Sequence, residues 1–365
     1  MSILDLIGDG GNHKRLLLRR LAQSGRPVLL YGAGIYAYVL NRYLAASGVN
    51  VAAAMVDGAF KTADCFMDLP LHATEAMAAR LSEFEIVIAI TNYPDAIRKL
   101  TDLGIGEAHV VDVPDFLNIP QPFMDREFVA ANAGQFDTAC GLFEDDLSRQ
   151  TYIAAINAKI SEDPVSLLPV VRPDHQYFAT TEFPLSDHET LLDVGGFSGD
   201  SVREFHAITQ GRYDGIISLE PSGENFEALC ATIADLGLPR VEPVKMGAWS
   251  ERTTLRFATR EMNIDNKVAE EGDRAIEVDT IDAILDRMGR RVSFIKMDIN
   301  GAEYHALSGA GETIRRQRPR IATKIHTRED FFRLPIAMKA IAPDIKLYLR
   351  QRNFMSLSLV LYGTF

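Results

Sequence analysis

The sequence predicts an α/β protein made of two Rossmann-like units in tandem, the smaller one first, joined by a helical connector. Three observations predict it. Short apolar runs alternate with amphipathic helical stretches over residues 26–118 and again from Thr190 onward. Each alternation opens with a strand that runs straight into a glycine-rich turn. The stretch between them is helical and then proline-rich, with no strand pattern. A chain of 365 residues is also long for one compact core, so two units are the natural division.

In the first unit an amphipathic helix around Lys14–Ala22 precedes the strand Val28–Tyr31. That strand enters Gly32-Ala-Gly34-Ile-Tyr-Ala37, and helical patterning continues to Ala46. Further strands are expected at Val49–Val56, Glu85–Thr91 and His109–Val113, with helices at Ala73–Leu81 and Ala96–Leu103. The turn fits the GxGxxA dinucleotide fingerprint in its required strand–turn–helix setting. Asp57, ending the next strand, stands where a ribose-binding acid would. Gly32, Gly34 and Asp57 are therefore a candidate nucleotide site, although such turns also serve helix packing alone. A Tyr-x-x-x-Lys dyad does not accompany them, which speaks against an active dehydrogenase.

A boundary is expected at Asn118-Ile-Pro120-Gln-Pro122, closing a first domain at 1–120. Residues 121–188 read as connector and cap, helical from Arg126 to Ile160 and then broken by Pro164, Pro169, Pro173 and Pro184. The second unit, 189–365, carries strands at Leu191–Val194, Gly215–Leu219, Arg240–Lys245, Ser293–Met297 and Arg320–Ile325. Helices fit at Ser201–Thr209, Glu224–Leu236, Ile281–Met288, Glu303–Gly309 and Ile336–Ala342. Lys346–Arg350 and Leu357–Tyr362 add a C-terminal β-hairpin.

The chemistry-bearing residues of this unit sit at strand ends, where open parallel sheets bind ligands. Asp193 ends the first strand. Gly195, Gly196 and Gly199 allow a sharp turn and close backbone approach, and Ser201 reads as the N-cap of the following helix, next to Asp200. Glu220 ends the second strand, where a carboxylate can accept both hydroxyls of a ribose. Met246-Gly247-Ala-Trp249 follows the third strand, with apolar groups suited to walling in a base.

These pieces resemble the FkbM family of S-adenosylmethionine-dependent methyltransferases. The resemblance rests on Leu192-Asp-Val-Gly-Gly-Phe-Ser-Gly-Asp200, Leu219-Glu-Pro-Ser222 with Asn225, Val278-Asp-Thr-Ile-Asp282, Phe294-Ile-Lys-Met-Asp-Ile-Asn-Gly-Ala-Glu303 and Arg318-Pro-Arg-Ile-Ala-Thr-Lys-Ile-His326. It spans roughly the last half of the chain and implies a class I methyltransferase sheet, S-adenosyl-L-methionine as cofactor, and methyl transfer to an oxygen of a sugar, glycan precursor or secondary metabolite. It places Asp193, Gly195, Gly196, Gly199, Asp200, Ser201, Glu220, Met246 and Gly247 at the cofactor. Two departures fall near the acceptor: Asn300 and Lys324 stand where family members commonly have acidic residues. They weaken any case for a bound metal, and none is expected.

A hydroxyl acceptor gives up a proton as it is methylated, so a base is sought beside it. Asp298 and His326 end adjacent strands and are the catalytic candidates. His326 is favoured because an ordinary histidine titrates near neutrality. Asp298 is read as base, as orienter of His326 or as acceptor ligand. Tyr177, in the cap, and Glu303, at a helix start, are candidates for touching substrate; the alternatives are cap packing for Tyr177 and a first-turn helix carboxylate for Glu303. Lys296, inside its strand, is expected to pair with an acidic neighbour.

Composition bounds the partners. The net charge of −12 argues against broad affinity for nucleic acid or anionic membrane, and no apolar run is long enough to span a bilayer. The first residues lack a signal-peptide pattern, so a cytoplasmic location is the default. Cys65, Cys140 and Cys230 have no metal-type spacing. A small-molecule or saccharide acceptor and possible homo-oligomerisation complete the expectation. The competing readings are a nucleotide-dependent sugar-modifying oxidoreductase led by the first domain, and a non-catalytic scaffold.

Overall fold

A computed structural model of the chain describes residues 2–8, 11–105, 107–111, 123–179, 181–238, 240–258, 267–268, 274–354 and 358–365. Strand β1 (Val28–Tyr31) is buried at every position, as a parallel strand covered on both faces must be. It lies between β2 (Val51–Val56) and β5 (Glu85–Ile88), both parallel to it. Strands β3 (Cys65–Phe66), β4 (Leu69–Ala73) and β6 (His109–Val110) complete a six-stranded sheet of order β3-β4-β2-β1-β5-β6. Only β3 pairs antiparallel to its neighbour. The expected helix over Ala73–Leu81 is a short α-turn, Thr74–Met77, followed by a 3-10 segment, Ala78–Glu83. The end of the strand expected at His109–Val113 and the boundary at Asn118–Pro122 lie outside the described residues.

The second sheet has seven strands: β7 (Thr190–Val194), β8 (Gly215–Leu219), β9 (Val241–Val244), β14 (Phe294–Met297), β15 (Arg320–Lys324), β16 (Lys346–Gln351) and β17 (Leu359–Thr364). Their order is β16-β17-β15-β14-β7-β8-β9, parallel throughout except β17, which runs antiparallel between β15 and β16. This is the class I methyltransferase sheet with its terminal hairpin. The four remaining strands among the described residues, β10 (Gly247–Ala248), β11 (Thr253–Ala258), β12 (Lys267–Val268) and β13 (Arg274–Asp279), form a separate sheet of order β10-β13-β11-β12. The strands expected from the sequence include none between Lys245 and Ile281. Leu255 with Phe257, and Ile276 with Val278, alternate with polar residues in the sequence, a period-2 signal that identifies the two longer strands of this sheet.

The connector packs on the second unit. Its helices (126–131, 133–141 and 146–161) share one apolar core with Ile3 and Ile7 and with the second sheet. Arg126 ties the N-terminus down by donating to the carbonyls of Leu4, Ile7 and Gly8. Residues 2–8 therefore sit with the connector rather than with the first sheet. Phe136, Tyr152 and Phe331 are fully buried there, each stabilising by about 2–3 kcal/mol through lost apolar exposure. Phe143 and Val171 bridge to Leu347 and Gln351 along the outer edge of β16.

The helix expected from Ile336 instead spans Asp330–Ile341 and passes through Pro335. Proline has no N–H for the carbonyl four residues back, here that of Phe331. The Tyr152 hydroxyl donates to that carbonyl at 3.2 Å, so tertiary packing supplies the partner that the local sequence withholds. No helix among the described residues is long and apolar enough to cross a membrane.

Candidate active site

Parallel register aligns Lys296 with Asp193 and Asp193 with Ser218, on neighbouring strands and one face. Asp193 is fully buried: Lys296 Nζ lies 2.9 Å from its Oδ1, and Ser218 donates to its Oδ2 at 2.8 Å. Burial pushes the Asp193 carboxyl above its ordinary value despite this company. Lys296 also donates to the Gly195 carbonyl at 2.8 Å. The expected acidic partner of Lys296 is thus Asp193, and together they brace the glycine turn from behind.

The turn itself is tightly enclosed. Gly195 has φ +89°, and a Cβ there would stand 2.2 Å from the Asp298 carbonyl. A Cβ on Gly196 would meet Ser218 Oγ at 2.3 Å. The N–H groups of Gly195 and Gly196 both donate to the carbonyl of Leu219, folding the turn over the end of β8. Gly199, at φ +86°, holds the N-cap position of helix Asp200–Thr209. Ser201, expected as the cap, lies inside the first turn and is buried. The left-handed conformation that ends the turn suits glycine, which fixes the helix start two residues earlier.

Glu220 is fixed by backbone on both sides. Its Oε2 accepts from Phe197 N–H and its Oε1 from Ser222 N–H, each at 2.9 Å. Burial raises its carboxyl above the ordinary range. It opens onto a cavity of about 340 Å³, lined also by Gly195, Phe197, Asn225, Gly247, Trp249, Asp298, Asn300 and Thr327. The small sheet contributes Leu255, Ile276 and Val278 to the same wall. Trp249 stacks on His305 with ring centres 3.9 Å apart and planes 15° from parallel.

Asp298 brings the reactive charge to this cavity. Its Oδ1 lies 3.1 Å from His326 Nε2, and its Oδ2 accepts from the Tyr177 hydroxyl and stands 3.7 Å from Lys324 Nζ. Against the cost of burial, Lys324, His326 and Lys296 hold its carboxyl well below the usual carboxylate range. On its other side, His326 Nδ1 faces Glu303 Oε1 at 2.8 Å. Glu303 also accepts from the N–H groups of Ile299 and Gly301. Burial disfavours the imidazolium, but the two carboxylates outweigh it and push the His326 pKa up to about 9. The expectation that His326 titrates near neutrality is therefore corrected: it is cationic at neutral pH.

The structure thus brings Gly195, Glu220, Gly247 and Asp298 to the cavity surface. Asp193, Gly196, Gly199, Asp200, Ser201 and Met246 lie outside its lining. Glu303, read as a possible substrate contact, is fully buried and touches His326 instead. Tyr177 reaches the site through Asp298 and lies under Lys296, whose ammonium is 5.3 Å from its ring centre. Asp298, Glu303 and His326 present metal-type donor atoms within 4.8 Å of one another. The Lys324 ammonium stands 3.7 Å from Asp298 Oδ2, beside the same donor set. Gly32, Gly34 and Asp57 line a separate cavity at the first sheet.

Sequence reasoning missed the small sheet's apolar wall and the Trp249–His305 stack, which long-range pairing creates. It also missed the depth of Glu303, for which no local signal exists.

Residues 193–355 match the Methyltransferase FkbM domain family. The fold is similar to the crystal structure of an FkbM methyltransferase from Methylobacillus flagellatus KT, with TM-score 0.64 and 22% identity over 99% of this chain and 92% of that one. An rRNA methylase from Streptococcus thermophilus aligns with TM-score 0.34 and 13% identity, over 53% of this chain and 98% of its own. Aeropyrum pernix fibrillarin in complex with S-adenosyl-L-methionine aligns with TM-score 0.34 and 11% identity, over 52% and 73%. No curated protein matches the chain. The match of residues 193–355 to a methyltransferase domain marks the chain as an enzyme that transfers methyl groups.

Proposed function

We propose that this domain transfers a methyl group from S-adenosyl-L-methionine to a hydroxyl of a sugar, glycan precursor or secondary metabolite. The observation that carries this reading is one cavity that gathers Glu220, an apolar wall and Asp298. Glu220 and Asp298 end strands separated only by β7, a spacing on the order of 10 Å that leaves room for a ligand between them.

These residues fit the cofactor. Glu220, held by two backbone N–H groups, keeps acceptor capacity for ribose hydroxyls. Trp249, Leu255, Ile276 and Val278 offer an apolar face to an adenine, and the Gly195 turn lets backbone approach the remainder. When bound, the cofactor supplies an electrophilic methyl on a sulfonium. Asp298 accepts the hydrogen bond of the incoming hydroxyl and takes its proton on a carboxylate oxygen. Its depressed pKa is no obstacle, because a hydroxyl that is gaining a methyl becomes strongly acidic. His326 and Lys324 hold Asp298 ionised and oriented, and Glu303 holds His326. Asn300 and Thr327, beside Asp298 on the cavity wall, suit an acceptor rich in hydroxyls.

Calorimetry with S-adenosyl-L-methionine tests the reading directly. The wild-type chain is expected to bind it, and Glu220→Gln to bind at least about tenfold more weakly, the loss of a charged hydrogen-bond acceptor. A folded sample that takes up no S-adenosyl-L-methionine refutes the proposal.

A further inference from the structure

The first sheet carries a second built cavity, which methyl transfer does not use. It measures about 510 Å³ and opens at the C-terminal ends of β1 and β2, where the strand order turns from β2 to β5 about β1. Open α/β sheets bind ligands at such a switch point. Its lining includes Gly32, Gly34, Asp57 and Phe60.

Each of these offers a different kind of contact. Gly32 is locked into the turn: φ is +136°, its N–H donates to Met55, and a Cβ would stand 2.5 Å from the Ala89 carbonyl. Gly34 is at the N-cap of helix Ile35–Ala46 and brings no side chain to cap it. A Cβ built on Gly34 meets nothing within 4 Å, so packing does not require this glycine. The open space leaves the positive end of a twelve-residue helix facing the cavity. Asp57 ends β2, with its Oδ1 receiving Tyr31 Oη and Lys99 Nζ at 2.6 Å each and Thr74 Oγ1 at 3.5 Å. Phe60 stands at the cavity with 74% of its surface exposed, an unusual cost for a phenylalanine unless something covers it.

We propose that this cavity binds a nucleoside diphosphate group, with the diphosphate at the Gly34 helix start, the ribose on Asp57 and the base against Phe60. The order of these contacts along a strand–turn–helix–strand path matches the order of phosphate, sugar and base in the ligand. The same chemistry belongs to a free dinucleotide and to a nucleotide sugar.

The full-length chain is titrated with ADP, UDP, NAD+ and UDP-glucose in the presence of saturating S-adenosylhomocysteine, which blocks nucleotides from the methyltransferase cavity. At least one probe is expected to bind with a Kd below about 1 mM. Preference for NAD+ identifies a dinucleotide site, and preference for UDP or UDP-glucose a nucleotide-sugar site. Gly34→Asp places a carboxylate where the diphosphate would sit, in space that the fold leaves open. It is expected to weaken binding at least about tenfold while the melting temperature stays equal or rises, since aspartate is a favourable N-cap. Phe60→Ala, an exposed change, is expected to weaken it severalfold, and methyl transfer should be untouched by either. Absence of binding by all four probes, or binding that survives Gly34→Asp, overturns the proposal.

Discussion

The two glycine turns of this chain share one sequence grammar and present opposite environments. In each, a buried first strand runs into glycines, a helix follows, and an acid ends the second strand. At Gly195–Gly199 the turn is crowded by Ser218, Leu229, Thr232 and the Asp298 carbonyl, and its acid, Glu220, is gripped by backbone N–H groups. At Gly32–Gly34 only Gly32 is crowded; Gly34 faces open space, and Asp57 is held by the side chains of Tyr31 and Lys99. A turn of this kind fixes where a ligand binds, while the walls around it decide the ligand's charge. The second turn is roofed by an apolar sheet and neighbours a carboxylate; the first exposes a helix start.

The sharpest break between the two sites is catalytic. Asp298→Asn keeps the shape but loses the proton acceptor, and kcat is expected to fall by about two to four orders of magnitude with little change in cofactor affinity. A variant retaining wild-type kcat would remove Asp298 from the mechanism, and no change at Asp57 should have a comparable effect.

The next effect is on the backbone. Gly195→Ala forces a Cβ against the Asp298 carbonyl at positive φ, with an expected cost of about 2–4 kcal/mol, read from urea unfolding. A third measurement follows the charge on His326. Its pKa is raised from 6.5 to about 9, so its contribution to stability is fully present below pH 6.5 and is lost as pH rises through about 9. That contribution is about 3 kcal/mol, and thermal melts across this window should show it, with His326→Gln flattening the slope. Over the same window kcat should fall, because the cation that steadies Asp298 is discharged. A kcat that instead rises with pH and reaches a plateau would make neutral His326 the base. The smallest effect belongs to Gly34→Ala, expected to change stability by no more than about 1 kcal/mol in the same unfolding assay, alanine's weaker N-capping offsetting the unfolded-state entropy it removes. Marked destabilisation would show that the first turn is as enclosed as the second.

Legibility in the sequence followed the range of the interactions. The second sheet's strands, the glycine turn and Glu220 were readable because strand burial and turn chemistry are local. Asp298 and His326 were readable as strand-end residues, since parallel order brings adjacent strand ends together. The protonation of His326 was not, because Glu303 lies twenty-three positions away and its depth depends on packing. The sequence points to Ser201 rather than Gly199 as the cap because side-chain preference is visible in sequence and a left-handed φ is not. The helix through Pro335 was cut short for a similar reason: its remedy, the Tyr152 hydroxyl, comes from 179 positions away.

One consequence of the connector reaches beyond the sites. Phe143 and Val171 bridge to β16, and Glu144 and Arg172 donate backbone hydrogen bonds to its carbonyls, so the outermost strand of the large sheet does not end in bare backbone. A chain shortened to residues 189–365 would keep every cavity residue of the methyltransferase site except the support of Tyr177. It would also expose a six-residue edge rich in leucine, tyrosine and arginine, ready to pair with another copy. The smallest unit able to stay monodisperse therefore begins with the connector, well upstream of the first residue that touches the cavity.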